Sequence, residues 1–392
     1  MSGFRTTGVG QVAAQPGPQV LKDDREVILA DPRGFCAGVD RAIQTVETIL
    51  DTWKPEGAEA APDNQGDGVG NPEIQADLPP VYVRRQIVHN RHVVEDLSNR
   101  GAVFVDELDQ IPDRAAQAGV PVVFSAHGIA PSVQEEARRR GMEVVDASCP
   151  LVSKVHREVH RFVRDGYQII YIGHRGHDEA IGVVGEAPDH VHLIEHQEDV
   201  EHLYFIPDTK LVMLTQTTLS LDETADIVAA LHRRFPWIEE PPGSDICYAT
   251  QNRQHAVKLV ARHADCVVIV GSANSSNSVR LVEVAQDVLD ERFPVGDAGA
   301  GHPGPGRAYR VDDAGDLDPA WFQGVTKVGL SSGASVPEDL VQGVLDALAG
   351  WGFGRVTYAE TVKETMHFVL PSALRSRVAS TGTGAAAAPS GA

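Results

Sequence analysis

Three kinds of residue in this 392-residue chain are equipped for chemistry: widely spaced cysteines, histidines placed just past apolar runs, and clusters of hydroxyl and amide side chains. Cys36, Cys149 and Cys247 each stand at a turn leading into a helix. Cys36 precedes Ala-Gly and a helix predicted from Gly38, while Cys149 precedes Pro150, a residue favoured in the first helical turn. Cys247 follows Ser-Asp-Ile and precedes a helix predicted near Asn252. A helix start offers unpaired N–H groups and a partial positive charge, which suits an anionic metal–thiolate centre. Cys266, the last of four cysteines, lies in Ala-Asp-Cys-Val-Val-Ile-Val-Gly and reads as a buried strand residue.

Spacing alone carries this no further than a metal site. Three thiolates brought together would leave one iron of a [4Fe–4S] cluster open as a Lewis acid. Structural zinc is the competing metal, although it usually takes four ligands in paired local spacing. With no Cys-x-x-Cys pair, four ordinary small hydrophobes are the plain alternative.

Most of the 16 histidines read as solvated or packing residues. His89 in Ile-Val-His-Asn, His127 in Phe-Ser-Ala-His-Gly and His177 in Ile-Gly-His-Arg-Gly-His-Asp-Glu differ by placement. His127 directly follows a predicted strand and His177 lies a few residues past another, where open α/β sheets bind ligands. Histidine donates hydrogen bonds to phosphate oxygens. Asn274-Ser-Ser-Asn-Ser278 and Ser331-Ser-Gly-Ala-Ser335 each follow a strand and open a helix, a natural anion site; caps and turns are the plain reading. Thr215-Gln-Thr-Thr218 ends another strand. Glu179, two residues past His177, is a proton-donor candidate through its neighbours, with a threonine hydroxyl as relay; alone it reads as a surface charge.

The elements that must position these groups follow one rhythm: a β-branched run, a turn, an amphipathic helix. Strands are predicted at Glu26–Ala30, Val81–Arg84, Val120–Ser125, Tyr167–Gly173, Lys210–Thr215, Cys266–Gly271 and Thr326–Leu330. Helices are predicted from Gly38 and at Ser132–Arg140, Leu151–Asp165, Ser220–Phe235, Asn252–His263, Ser278–Glu291 and Pro337–Gly350. Such alternation indicates an α/β fold with parallel sheets. One cysteine near each of positions 36, 149 and 247 marks a coarse threefold recurrence. It divides the chain into α/β units at 25–148, 149–246 and 247–371, between disordered ends at 1–24 and 372–392. Trp53–Pro80 (residues 53–80) reads as a surface insertion without fixed structure, and Gly296–Gly306 as a shorter loop of that kind.

Composition sets limits on partners. Lys and Arg total 34 against 55 Asp and Glu, a formal net charge of −21. A nucleic-acid binder carries a basic footprint, so that class is disfavoured, as is an electrostatic hold on anionic membranes. No apolar run approaches the roughly 18 residues of a spanning helix, and the first residues lack the apolar core of a signal peptide. Four cysteines are too few for a disulfide scaffold in a chain this long,. The expected setting is the cytoplasm, with no nucleic-acid or membrane partner.

Taken together, six strings resemble the 4-hydroxy-3-methylbut-2-enyl diphosphate reductases, the last enzymes of the methylerythritol phosphate (non-mevalonate) route to isoprenoids. They are Pro32-Arg-Gly-Phe-Cys-Ala-Gly-Val-Asp-Arg41, Ser125-Ala-His-Gly128, Asp146-Ala-Ser-Cys-Pro-Leu-Val152, Thr215-Gln-Thr-Thr-Leu-Ser220, Asp245-Ile-Cys-Tyr-Ala-Thr250 and Gly271-Ser-Ala-Asn-Ser-Ser-Asn-Ser278. The resemblance runs in order from about Val27 to Pro371, insertions omitted. It implies three α/β units in a trefoil around a central [4Fe–4S] cluster, ligated by Cys36, Cys149 and Cys247. It implies a small allylic diphosphate substrate, held by His89, His127, His177, Thr218, Ser275, Ser276, Asn277 and Ser335. Glu179 would deliver protons with Thr217, and an electron donor such as ferredoxin or flavodoxin would supply electrons. The family usually has proline between the equivalents of His177 and Glu179, where this chain has Asp178. A carboxylate there either points outward or, facing the site, raises the pKa of Glu179.

Three other functions compete for the same residues. An iron–sulfur hydro-lyase would turn over without reductant, and a non-catalytic electron carrier or iron sensor would have little use for a polar diphosphate pocket. A zinc hydrolase would require colourless metallated protein without iron.

Overall fold

The structure, a computed structural model, describes residues 4–7, 25–53, 78–294 and 304–375. The expected insertion at 53–80 and the loop at 296–306 therefore fall largely outside the described residues. So do most of the terminal segments, although residues 4–7, within the first, form a strand.

In chain order the strands are β1 Phe4–Thr7, β2 Glu26–Asp31, β3 Val81–Arg84, β4 Ala102–Val105, β5 Pro121–Phe124, β6 Glu143–Asp146, β7 Gln168–Ile172, β8 Val191–Ile194, β9 Leu211–Thr215, β10 Cys266–Val270, β11 Ala308–Val311, β12 Lys327–Ser332 and β13 Arg355–Glu360. The helices are α1 Ala37–Thr52, α2 Arg91–Asn99, α3 Asp113–Gln117, α4 Pro131–Arg139, α5 Pro150–Arg164, α6 Asp178–Glu186, α7 Leu221–Arg234, α8 Tyr248–Ala261, α9 Ser276–Arg292 and α10 Glu338–Gly350. No described helix is long and apolar enough to cross a membrane.

The strands make three sheets: six strands in the order β1-β13-β2-β12-β10-β11, four in the order β4-β3-β5-β6, and a three-stranded sheet containing β7 and β8. Pairing in the first two is parallel except at the β1 edge, so this is the α/β architecture that the strand–helix rhythm predicts. By contacts the chain falls into two compact units. One comprises Met1–Cys36, His89–Arg91 and Ile194–Met366; the other comprises Ala37–Val88, His92–Leu193 and His367–Ala392.

In the first unit the six-stranded sheet is covered on both faces. Val27, Leu29, Val268, Val270, Val328 and Leu330 face Val341, Val344 and Leu348 of α10. Alternate residues Ile28, Ala30, Val267 and Ile269 face Ala256, Val257 and Val260 of α8 and Leu281 and Val284 of α9. Burial of both faces is why these strands read as unbroken apolar runs rather than alternating ones. In the second unit Tyr82, Val105, Val122 and Phe124 pack with Leu108, Ile111 and Ala137.

Several elements were not legible in the pattern. Strands β4, β6, β8, β11 and β13 are short or mixed in burial, and α6 contains Gly182 and Gly185. Glycine costs a helix about 1 kcal/mol relative to alanine. In α6 Gly185 lies where Ala130 approaches too closely for a side chain, and Gly182 where His156 leaves only tight room for one. The helix predicted near Asn252 begins earlier, at Tyr248, because Cys247 itself is its N-cap.

Candidate functional site

Candidate residues recur just past the carboxyl ends of strands, where loop backbone turns into a helix. In the first unit, Cys36 follows β2, Thr217 and Thr218 follow β9, Ser275–Asn277 follow β10 and Ser335 follows β12. Cys36 and Cys247 are both half-buried. The Cys247 Sγ accepts the Thr250 backbone N–H at 3.3 Å and lies 3.1 Å from the Thr250 hydroxyl. The sulfur thus takes the place of a capping side-chain oxygen at the start of α8,. The Cys247 N–H donates to the Thr217 carbonyl at 3.0 Å, and the Thr215 N–H to the Asp245 carboxylate at 3.0 Å, so the cysteine is tied to the end of β9.

A chain of hydrogen bonds joins the two cysteine loops. The Cys36 N–H donates to the Ala334 carbonyl at 3.2 Å. The Ala334 N–H in turn donates to Asn277 Oδ1 at 2.8 Å, and Asn277 Nδ2 donates to the Thr250 hydroxyl at 3.5 Å. Arg253 of α8 makes a second tie. It is fully buried, and its guanidinium donates to the carbonyls of Gly34 (2.7 Å), Phe35 (3.3 Å) and Ala249 (3.0 Å) and to the Glu364 carboxylate (3.0 Å). Tyr248 lies among these groups: burial pushes its phenol well up, and Cys36, Glu364 and Cys247 reinforce the shift.

The hydroxyl and amide residues of this unit form several short hydrogen-bonded groups. Gln216 Nε2 donates to the Thr218 hydroxyl at 2.7 Å, which donates to the Ser276 hydroxyl at 3.0 Å. Ser275 caps α9, accepting the Ser278 N–H at 3.3 Å. The Ser335 hydroxyl donates to the His89 carbonyl at 2.9 Å, fixing the loop that carries this histidine. Thr217, Ser275, Asn277 and Ser335 are all buried.

In the second unit Cys149 is half-buried and caps α5, with Pro150 at the first helical position, as expected. Its N–H donates to the Ala126 carbonyl at 2.9 Å, which sets it beside the loop carrying His127. Arg41 donates to the Ser148 carbonyl at 2.9 Å. Burial lowers the Arg41 pKa, an effect opposed by Asp146 and Cys149. His177 is the N-cap of α6: its Nδ1 accepts the Glu179 N–H at 3.2 Å, so the neutral ring carries its proton on Nε2,. The His127 and His177 rings meet edge to face with centroids 5.7 Å apart. Glu179 is 1% exposed, and the buried Tyr171 hydroxyl approaches its Oε1 at 3.5 Å, the outer limit of a hydrogen bond.

Asp178 has a definite partner. It pairs with Arg85, which also contacts Glu107 at 3.1 Å, while Arg84 holds the other Glu107 oxygen at 2.7 Å. Arg85 is the one non-glycine with positive φ (55°) among the described residues, a strained conformation held by this ion-pair chain,. Its pKa is raised: burial opposes the charge, but hydrogen bonds and the charges of Asp178 and Glu107 outweigh it. The carboxylate that replaces the expected proline is thus matched by a cation. Cys266 lies fully buried in β10, where burial drives its thiol pKa far up, as its apolar run predicts.

Sequence reasoning missed Thr250, Arg253, His156 and Tyr171. Two carried a signal. Arg253 falls on the buried stripe Ala249, Ala256, Val257, Val260, and His156 sits beside Val152, Val155 and Val159. A polar group on an apolar stripe must bring its own partners.

Loops that present thiols, hydroxyls and imidazoles at helix N-termini on strand ends define a parallel α/β protein suited to holding anions. The family model described as LytB protein matches residues 71–349. A 4-hydroxy-3-methylbut-2-enyl diphosphate reductase from Bifidobacterium longum is 66% identical over 351 residues, covering 90% of this chain and 92% of the relative. The reductase of the same name from Mycolicibacterium paratuberculosis is 49% identical over 371 residues, 95% of this chain and 98% of that one. A solved structure of the E-1-hydroxy-2-methyl-but-2-enyl-4-diphosphate reductase from Plasmodium falciparum superimposes with a TM-score of 0.77 at 34% identity, covering 91% of this chain and 99% of the other. The chain belongs to the LytB family.

Proposed function

We propose that this protein is the reductase that removes the allylic hydroxyl of 4-hydroxy-3-methylbut-2-enyl diphosphate in the last step of the non-mevalonate isoprenoid pathway. Cys36, Cys149 and Cys247 hold a [4Fe–4S] cluster, one cysteine from each of the α/β units 25–148, 149–246 and 247–371. The observation that carries the reading is the local chemistry of the cysteines. Each begins a helix, none of the four in the chain forms a disulfide, and Cys247 Sγ accepts the Thr250 N–H at the start of its helix. When bound, the cluster supplies electrons and an iron open to a hydroxyl ligand.

Two electrons and two protons enter per turnover; the carbon–oxygen bond breaks, water leaves, and isopentenyl or dimethylallyl diphosphate remains. The diphosphate end is held by neutral donors. His177 presents an Nε2–H, His89 and His127 are further imidazole donors, and Thr218, Ser275, Ser276, Asn277 and Ser335 supply hydroxyls and an amide. This remote binding energy holds the alcohol in reacting position. Glu179 holds the proton that converts the departing hydroxyl to water, and Thr217 relays it. Burial of Glu179 keeps bulk water from competing for that proton. The cytoplasm, where thiols stay reduced, is the setting. A ferredoxin or flavodoxin is the electron donor, and no nucleic acid or membrane takes part.

The test is anaerobic purification with iron and sulfide analysis, then addition of the substrate and a reduced low-potential dye. About four irons per chain and dye oxidation dependent on substrate are the expected results. Turnover without reductant would favour a hydro-lyase, and a bound cluster without diphosphate binding would favour a carrier.

A further inference from the structure

His156 lies on α5 outside the catalytic assignments, yet it touches the elements that carry three of them. Its Nδ1 is 2.6 Å from Glu186 Oε1, at the end of α6. The other Glu186 oxygen lies 2.6 Å from His160 Nε2. The Glu186 carboxylate is only 8% exposed and the His156 ring 12%, whereas His160 reaches solvent at 62%. The two imidazoles thus flank a carboxylate that is withdrawn from water, which orients His156 with its Nδ1–H toward Glu186.

The rest of the ring is used as a wedge. Its Nε2 is buried and has no hydrogen-bond partner among the described residues. A Cβ on Gly128 would stand 2.7 Å from that nitrogen, and one on Gly182 would stand 3.2 Å from Cε1. Gly128, at φ +78°, directly follows His127. Gly182 lies one turn beyond Glu179 on α6, and α5 itself starts at Cys149. One ring therefore fills the space between the His127 turn and α6, in a contact that excludes a side chain at Gly128 and leaves only tight room for one at Gly182,.

Resting on the reductase reading above, we propose that His156, oriented by Glu186, is a positioning residue that sets His127 and Glu179 in their working alignment. The Nδ1 hydrogen bond stops rotation of the ring about its own axis. The two glycine contacts transmit the ring's position to the diphosphate-holding and proton-delivering sides. Loss of the ring leaves a void that the turn and α6 close by shifting, and a displacement near 1 Å at a reacting group costs on the order of a hundredfold in rate.

The test compares His156→Ala, Glu186→Ala and Glu186→Gln with the unmodified protein, all reconstituted anaerobically and matched for iron content. Glu186→Gln keeps an oxygen acceptor for Nδ1–H and should retain kcat within about threefold. Glu186→Ala and His156→Ala should lose about thirtyfold or more in kcat while keeping full iron. Because His156 acts through Glu179, His156→Ala added to Glu179→Gln should slow turnover by less than threefold further. A merely structural role would multiply the two losses, and that outcome overturns the proposal. Binding of inorganic pyrophosphate, measured by calorimetry, reads the His127 side without turnover. Affinity about tenfold weaker in His156→Ala supports the proposal, and equal affinity refutes it. If the unmodified protein binds pyrophosphate yet oxidises no dye with substrate, the reductase reading fails while the wedge is still decided by that comparison. Should His156→Ala not fold, the contrast between Glu186→Ala and Glu186→Gln decides alone.

Discussion

Glu364→Ala should both destabilise the first unit and loosen its hold on iron. Arg253 is fully buried, and Glu364, 17% exposed, is the charge that matches it. The carboxylate accepts Arg253 Nη1 at 3.0 and 3.3 Å and Asn252 Nδ2 at 3.0 Å. Truncating one member of a buried pair leaves an uncompensated charge and costs about 3–5 kcal/mol. Three carbonyls still accept from the guanidinium, and Glu364 is partly wet, so the lower end, about 3 kcal/mol, is expected. At roughly 2 °C per kcal/mol for a large domain, the apo protein should melt about 6 °C lower by scanning calorimetry. The functional consequence follows from which carbonyls Arg253 holds. Gly34 and Phe35 immediately precede Cys36, and α8 begins at Cys247, so a displaced guanidinium frees both cysteine loops at once. Iron retained after anaerobic gel filtration should drop to about half or less. Replacing both partners, Arg253→Met with Glu364→Leu, should recover only part of the melting temperature, since no charge is stranded but the Gly34 and Phe35 carbonyls lose their donor,. It should not recover the iron, since the two carbonyls remain unheld. A melting point within 1 °C of normal and full iron in Glu364→Ala would refute the reasoning.

Further outcomes are expected. Cys149→Ala should lose most bound iron, whereas Cys266→Ala, altering a buried strand residue, should keep it and lose about 1 kcal/mol of stability; equal iron loss in both would overturn the choice of ligands. Glu179→Gln should keep cluster content and lose at least a hundredfold in kcat, and near-normal turnover would remove the proton-donor role. Arg85→Gln strands Asp178 beside Glu179 and should cost about 1–2 kcal/mol, between the values for exposed and buried pairs; adding Asp178→Asn should restore stability in a urea titration. For Glu107, burial raises the pKa, but Arg84 and Arg85 outweigh it and hold the carboxyl below its ordinary range. The stability it contributes is therefore present above the ordinary carboxylate pKa and lost as pH falls through the depressed folded value. Glu107→Gln should flatten the acid limb of the stability curve.

Much of the positioning could be read along the chain. Apolar runs such as Val27–Ala30 and Val267–Val270 announce strands covered on both faces. The small and hydroxyl residues after them announce the turns where helices begin. Legibility failed where an element is defined by its neighbours. Helix α6 carries two glycines and lacks a strong apolar stripe, so its own propensity argues against it; the glycines are where the residue before α4 and the His156 ring of α5 pack closely on it. The sequence pattern puts the start of α8 near Asn252, four residues past Tyr248, because only the folded backbone brings the Thr250 N–H onto the Cys247 sulfur.

By itself the sequence determined the α/β class, the chemical identity of the thiols, imidazoles and hydroxyls, and their places at strand ends, because periodicity and turn chemistry are local. Tertiary structure alone decided which partner each group meets. Asp178 is answered by Arg85, 93 positions away, and Arg253 by Gly34, 219 positions away. Such pairs follow from which chain segments pack together, and packing is set by the whole set of buried faces rather than by any one stretch.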